Sequence, residues 1–164
     1  MSDVSRSIKE GARLGLIAGA ILLAAKIVGT VAIGEPAILA FRRDASVLLG
    51  IRALTPVPTA TALVLGVVMH FYLSAMFGLF YGAYNSALTM HSRRSLGRQA
   101  AIGVIYGTML WFVNFNVFAR YRYPWLLDLP QGPQLFLHAA FYGLPLGLLY
   151  ATAEQAALRE DRRH

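Results

Sequence analysis

The chain of 164 residues contains no cysteine and few charged side chains. Without cysteine there can be no disulfide bond, thiolate metal site, iron–sulfur cluster or covalently attached c-type haem. Charged residues make up 14% of the sequence, whereas a soluble domain usually carries about 25%. Hydrophobic residues make up 57%, and the mean hydropathy is +0.53. This balance indicates a membrane protein.

Acidic residues are scarcer than basic ones, 8 against 15, which gives a formal net charge of +7. A basic chain can bind nucleic acid, but here the charges are scattered between apolar blocks, so we expect no nucleic-acid partner. The sequence also lacks H-E-x-x-H, P-loop and G-x-S-x-G motifs and a pair of intramembrane carboxylates. We therefore expect no enzymatic activity, no metal site and no cofactor.

Long hydrophobic runs, in contrast, are abundant. About 20 apolar helical residues cross a bilayer core of about 30 Å, and four segments reach this length: residues 14–34, 60–84, 100–119 and 135–153. The longest stretch between them, residues 35–59, is too short to form a core of its own. The sequence predicts an all-α integral membrane bundle of four transmembrane helices in a single domain, residues 1–164.

The distribution of Lys and Arg among the loops predicts the orientation. With the N-terminus inside, nine of these residues face the cytoplasm and five face the outside. Both termini are therefore predicted to be cytoplasmic. The charged stretches 91–98 and 154–164 are expected to anchor the cytoplasmic side against anionic lipid.

The first outer loop contains a segment of helical periodicity, residues 37–52. Its apolar positions share one helical face: Ile38, Phe41, Ala45 and Leu48. Its polar positions fall away from that face: Arg43, Asp44 and Ser46. We expect an interfacial helix with its apolar side in lipid, ended by Pro56 and Pro58 before the second span.

The two halves of the chain resemble each other. Residues 14–21 align without gaps on residues 102–109, and residues 78–81 align on residues 147–150. The alignments also pair less common residues: Lys26 with Asn114, Pro36 with Pro124 and, one residue apart, His70 with His138. We predict two tandem helical hairpins related by an axis along the membrane normal.

Glycines recur four residues apart in every predicted span. About one helical turn separates such glycines, so each set forms a smooth stripe on which another backbone can approach closely. We expect these stripes to pack helices within one bundle; the alternative is a dimer face or the lining of a ligand site. They include Gly15, Gly19, Gly78, Gly82, Gly103, Gly107, Gly143 and Gly147.

Five polar side chains lie in the outer half of the predicted spans: Lys26, His70, Asn114, Asn116 and His138. On insertion scales a lysine at a helix centre costs roughly 2.5–3.5 kcal/mol, which makes such a residue a functional candidate. Lys26 and His70 share one level, about 12 and about 15 Å from the outer end of their spans. We interpret the five as a polar funnel open to the outside, whose mouth is formed by Glu35, Arg120, Arg122 and Asp128.

Other interpretations of these residues remain open. Lys26 can snorkel outward, and the asparagines and histidines can join helices by hydrogen bonds. His70 and His138 also raise b-type haem as a remote alternative, although they differ by about 10 Å along the membrane normal. The cytoplasmic half of the spans contains no comparable polar group.

Short motifs in three places suggest a family: Gly-Leu-Ile-Ala-Gly at 15–19 with Lys26, His70 with Ser74, and Tyr-Pro-Trp at 123–125 with His138. On these motifs the chain resembles the small bacterial inner-membrane proteins of the YagU-like family of unknown function, relatives of which carry the label sodium:proline symporter. The resemblance implies a location in the bacterial inner membrane and a multi-pass helical fold, with no defined substrate.

We therefore expect a small accessory or structural membrane protein with a polar site in the outer half of the bilayer. Its expected partners are the lipid bilayer and either further copies of itself or a larger membrane complex. The alternative function is a small oligomeric transporter or channel, in which Lys26 and His70 form a site that responds to protons or anions.

Overall fold

The fold is described from a computed structural model, which covers residues 3–55 and 57–161. These residues form helices and connecting turns, and no strand occurs among them. The first four helices are α1 (Asp3–Ala32), α2 (Ile38–Leu49), α3 (Thr59–Ser86) and the short α4 (Met90–Arg94). The segments Leu96–Trp111, Phe112–Ala119 and Arg120–Arg122 run on as one helix, α5. The segments Gln131–Phe136, Leu137–Gly143 and Leu144–Asp161 run on as α6.

Four of these helices are long and apolar enough to cross a membrane: Asp3–Ala32, Thr59–Ser86, Leu96–Arg122 and Gln131–Glu160. The prediction of an all-helical chain with four membrane-length helices is thereby confirmed. Three of the helices extend beyond both ends of the predicted apolar run, whereas α1 begins well before residue 14 but ends at Ala32, short of the predicted residue 34. The extensions arise because polar first and last turns continue the same backbone hydrogen bonding outside the hydrophobic segment.

The helix ends follow local signals in the sequence. After α1, Gly34 adopts a φ of 82°, and Glu35 N–H donates to Thr30 O at 3.1 Å, which closes the last turn. Thr89 caps α4 by accepting from Ser92 N–H at 3.4 Å. Ser95 caps α5 in the same way, accepting from Arg98 N–H at 3.4 Å.

Both long helices of the second half contain a π-helical segment, Phe112–Ala119 in α5 and Leu137–Gly143 in α6. In α6 the segment ends at Gly143, two residues before Pro145, and Leu144 N–H donates five residues back, to Ala139 O. Since proline has no N–H and its ring crowds the preceding turn, the wider π-helical winding accommodates it without ending the helix.

Close backbone contact through glycine joins α1 to α3 and α5 to α6. A Cβ atom placed on Gly78 would lie 2.6 Å from the Cα of Gly15, and one on Gly143 would lie 2.9 Å from the Cα of Gly107. Such distances exclude any side chain, so the glycine stripes of the sequence lie at these two helix contacts.

The two helix pairs meet around buried tyrosines. Tyr81 is fully buried and stacks edge-on against Tyr106 and Tyr150, with ring centroids 5.1 and 5.7 Å apart. Tyr106 and Tyr142 donate from their hydroxyls to backbone oxygens of α3, namely Phe77 O at 2.6 Å and Ser74 O at 2.7 Å. These bonds give the polar end of each buried ring a partner and fix α5 and α6 against α3.

Helix α2 packs on α3, where Gly66 lets the backbone of Phe41 come close. The prediction for its two faces was wrong in part. Ala45, expected in lipid, is buried, and the polar Ser46 is buried as well, whereas Leu48 is exposed. Periodicity identifies which residues share a face, but it cannot identify polar partners elsewhere in the chain. Pro56, expected to help end this segment, lies outside the described residues.

Candidate functional site

Three ionisable side chains from three helices meet at the end of the bundle where α2 packs. Lys26 of α1 donates from Nζ to Oδ1 of Asp44 in α2. The second carboxylate oxygen, Oδ2, lies 3.1 Å from Nδ1 of His70 in α3. The side chains are 17%, 18% and 5% exposed, in the order Lys26, Asp44, His70. We call these three residues the ionic triad.

The helix contacts that surround His70 hold its ring in place. Its second nitrogen, Nε2, lies 2.8 Å from the backbone oxygen of Gly19 in α1. One turn further along α3, Ser74 donates to His70 O at 2.7 Å and in turn accepts at its own backbone oxygen from Tyr142. A side chain at position 19 would collide with Ser74, so glycine is needed for α1 to approach this closely.

Two further contacts orient α2 above the triad. Arg43 pairs with Glu35, at 2.6 Å, and so ties the start of the α1–α2 loop to α2. Trp125 donates from Nε1 to Ser46 Oγ at 2.9 Å, which joins α2 to the connection between α5 and α6. Asp44 is therefore held towards α1 and α3 from both sides.

Electrostatics keep the Asp44 carboxylate ionised. Burial by itself would raise the pKa of Asp44, but the charge of Lys26 and the hydrogen bond from His70 outweigh it and hold the pKa below its ordinary value of 3.8. The ionic triad thus contains a carboxylate that accepts from one cation and from one imidazole. Hydrogen bonding to charged groups of this kind is stronger than between neutral groups.

The five polar residues predicted from the sequence do not form one connected set. Lys26 and His70 are brought together, through Asp44. His138 instead donates from Nδ1 to Gln134 O at 2.8 Å within its own helix, and its ring packs edge-on against Phe115. Asn114 and Asn116 are half-buried in the π-helical segment of α5, and neither side chain makes a hydrogen bond within the described part of the chain. Lys26 and His70 thus share the ionic triad, whereas Asn114, Asn116 and His138 lie outside its hydrogen bonds; the polar funnel open to the outside stays a prediction.

The predicted mouth residues also separate. Glu35 lies beside α2 in its ion pair with Arg43. Arg120, Arg122 and Asp128 are exposed around the end of α5 and the turn that follows, and none of them forms an ion pair within residues 3–55 and 57–161.

Asp44 is the functional candidate that sequence reasoning missed. The sequence did contain a signal, because a lysine within a membrane segment needs a counter-ion or an outward path. Asp44 is an acidic residue in the loop that follows the lysine-bearing span, so it was an available partner. It was missed because helical periodicity placed it among the polar positions of α2, away from the apolar face.

The opposite end of the bundle holds a second set of buried polar groups, centred on Arg93 and lying outside the predicted apolar runs. Arg93 of α4 is only 2% exposed. Its guanidinium donates to Asn85 O at 2.7 Å, Ser86 O at 2.6 Å and the Asp3 carboxylate at 2.9 Å. Glu154 of α6 lies 3.9 Å from the same guanidinium. Because these bonds are internal, Arg93 and Glu154 do not act as the lipid anchors expected of their charged stretches; residues 162–164 lie outside the described residues.

A chain of side-chain bonds continues from there towards the centre of the bundle. Gln99 donates to Asn85 Oδ1 at 2.6 Å and accepts from the Tyr81 hydroxyl at 2.6 Å. All three side chains are fully buried. Their amides and hydroxyl are paired with each other, as buried polar groups in hydrocarbon-facing bundles require.

Haem does not fit the histidines. Axial ligation by two imidazoles needs a free ring nitrogen on each histidine, whereas both nitrogens of His70 face hydrogen-bonding partners, Asp44 and Gly19. Within the described ranges, 3–55 and 57–161, no group of three or more His, Cys, Asp or Glu side chains is arranged to hold a metal ion.

Comparison with known proteins identifies no similar protein or structure. No protein-family model matches the chain, and searches of curated proteins and of solved structures find no match.

Proposed function

We propose that the chain is a small multi-pass accessory or structural protein of the bacterial inner membrane, whose functional feature is the ionic triad. The single observation that carries this proposal is the bond set of Asp44, which joins α1 and α3 to α2, the helix that packs on α3. Lys26, Asp44 and His70 all have partners, so the triad holds α2 in one position and gives that end of the bundle a fixed surface.

The membrane placement that we propose has both termini in the cytoplasm and the triad in the outer half of the bilayer. Nine Lys and Arg residues on the N-terminal side against five on the other support this orientation. A reporter that is active only in the periplasm, fused after residue 164, should be silent, whereas one inserted after Gly50 should be active. Periplasmic activity of the C-terminal fusion would reverse the proposed orientation.

The contacts of the glycines support two tandem helical hairpins. In the aligned halves, Gly15 corresponds to Gly103 and Gly78 to Gly147. Gly15 contacts Gly78 closely, and Gly103 contacts the backbone of Gly147, where an added Cβ would lie 3.3 Å from Cα. Equivalent positions therefore make equivalent contacts. The same proposal includes membership of the YagU-like family, which the chain resembles in its short motifs.

A second candidate function is a small oligomeric transporter or channel. It is favoured by polar groups that have no hydrogen-bond partner among the described residues. Asn114 and Asn116 make no hydrogen bond within the described residues, and Nε2 of His138 has no partner there either. They lie in the two π-helical segments, a type of helix distortion that is frequent at functional sites.

Flux measurements separate the two functions. The purified chain in proteoliposomes, with a pH-sensitive dye inside, should show no proton flux beyond that of empty vesicles, with or without sodium and proline. The accessory function predicts instead that a stable partner co-purifies from native membranes. Flux that is lost in Lys26→Leu but retained in Arg120→Leu, a variant of an exposed arginine, would refute the accessory function and establish transport.

A further inference from the structure

The hydrogen-bond partners of His70 define where its protons are. A backbone carbonyl only accepts hydrogen bonds, so Nε2, 2.8 Å from Gly19 O, must carry a proton. A carboxylate likewise only accepts, and Asp44 is kept ionised by Lys26, so Nδ1, 3.1 Å from Oδ2, must carry one as well. A neutral imidazole has a single N–H and cannot satisfy both contacts.

We propose that His70 is a proton-binding site, occupied as the doubly protonated imidazolium when α2 is docked on the bundle. Lys26 and Asp44 balance each other's charge, so the proton on His70 is the net charge of the triad. The ligand of this site is a proton taken up from the side of the membrane on which α2 lies. This inference rests on the geometry of the triad and is independent of whether the chain is an accessory protein or a transporter.

Release of that proton would alter the contact between α2 and α3. The proton on Nε2 is retained by Gly19, so Nδ1 would lose its proton and turn a lone pair towards Asp44 Oδ2. Two acceptors at about 3 Å repel each other, and Asp44 would keep Lys26 alone as its partner. Proton uptake therefore favours docked α2, and proton release favours its separation from α3.

The charged and titratable groups around His70 come from each element packed near it. Lys26 on α1 opposes the proton, and Asp44 on α2 favours it. Arg43 on α2 is neutralised by Glu35. His138 on α6 lies within electrostatic range of the triad but makes its own bond to Gln134. Asp44 is thus the one carboxylate in direct contact with the ring among the described residues.

Nitrogen-15 NMR of the full chain in lipid, labelled at its four histidines, tests the assignment directly. At pH 7.5 the wild type should show one imidazolium with both nitrogens protonated, and this signal should be missing in His70→Gln. His91→Gln, at an exposed position of α4, should retain it. A neutral His70 ring at pH 7.5 would overturn the proposal.

The variant Asp44→Asn is the decisive comparison, because an amide has nearly the same shape but can donate to Nδ1. His70 should then be neutral at pH 7.5, with its proton on Nε2, and the imidazolium signal should be lost. Glu35→Gln, which removes the other carboxylate near α2, should leave the imidazolium unchanged. Persistence of the imidazolium in Asp44→Asn would contradict the assigned role of Asp44.

The docking step can be followed because the chain has no cysteine of its own. Spin labels on Leu48→Cys in α2 and Tyr72→Cys in α3, both exposed positions, report the distance between these helices. We expect a narrow distance distribution at pH 6 that broadens at pH 9, and a distribution that stays narrow at both values in Asp44→Asn. A wild-type distribution unchanged at pH 9 would overturn the coupling of proton release to separation.

Discussion

At the scale of single residues, the chain places charge where charge is costly and then supplies each charge with a partner. Lys26 has Asp44, and Arg93 has Asp3, Glu154 and the carbonyl ends of α3. Removing one partner of a buried pair leaves the other uncompensated, which costs more than the pair itself contributes.

A double-mutant cycle measures the Lys26–Asp44 interaction. Lys26→Met alone should destabilise the protein by about 3 kcal/mol, because Asp44 remains buried with one partner fewer. Adding Asp44→Leu should restore part of that loss, since no isolated charge then remains. Arg13→Met, which breaks an ion pair between exposed residues, should cost less than about 1 kcal/mol. Unfolding in mixed micelles gives these free energies, and strictly additive losses would show that the two residues are uncoupled.

Acid should weaken the triad through Asp44. The pKa of this carboxyl is lowered in the folded protein, so its contribution to stability is present above its unfolded value, about 3.8, and is lost as the pH falls through the lower folded value. The difference in free energy of unfolding between wild type and Asp44→Asn should therefore shrink below about pH 4. An unchanged difference down to pH 2 would contradict this linkage. Thermal melts at stepwise pH provide the measurement.

At the scale of helices, glycine determines which elements can pair. The α1–α3 and α5–α6 contacts bring backbones together at distances that no side chain permits. Leucine-rich faces could pack in many registers, whereas glycine stripes allow only those registers in which small residues oppose each other. The π-helical segments act on side-chain direction instead. Their wider winding turns the polar residues of α5 and α6 to directions that a regular α-helix would not give them.

Adding one methyl group should distinguish packed glycines from open ones. Gly78→Ala would force α3 away from Gly15 and should cost about 1–3 kcal/mol. Gly29→Ala meets no atom within 4 Å and should instead be neutral or stabilise the helix by up to about 1 kcal/mol. Melting temperatures of the two variants in the same detergent test this contrast. Equal effects would refute the register described for α1 and α3.

At the scale of the whole molecule, α4 and the first turn of α1 lock the end opposite to the triad. Arg93 connects α1, the end of α3 and α6 through one guanidinium. Two polar networks thus lie one at each end: the ionic triad joins α1, α2 and α3, and the Arg93 network joins α1, α3 and α6. The tyrosines fill the space between the two helix pairs. A substitution in either network should therefore disturb the position of more than one helix.

Arg93→Met should release the N-terminal turn. Asp3, Glu154 and the carbonyls of Asn85 and Ser86 would all lose a donor, so we expect a melting temperature lower by several degrees and faster proteolysis near residue 10. Arg159→Met, at an exposed position of the same charged region, should change neither measurement. Unaltered proteolysis in Arg93→Met would show that the lock is not required to hold α1.

The sequence by itself determined that the chain is helical and how many of its helices are long and apolar enough to cross a membrane, because apolar run length and 3.6-residue periodicity are local properties. It also indicated that Lys26 and His70 lie at one level. Only the tertiary structure decided that Asp44 joins them, that Asn114 and His138 lie outside that bond set, and that Arg93 is buried. These outcomes depend on which helix faces meet, and hydrogen-bond partners far apart in the chain leave no periodic trace in the sequence.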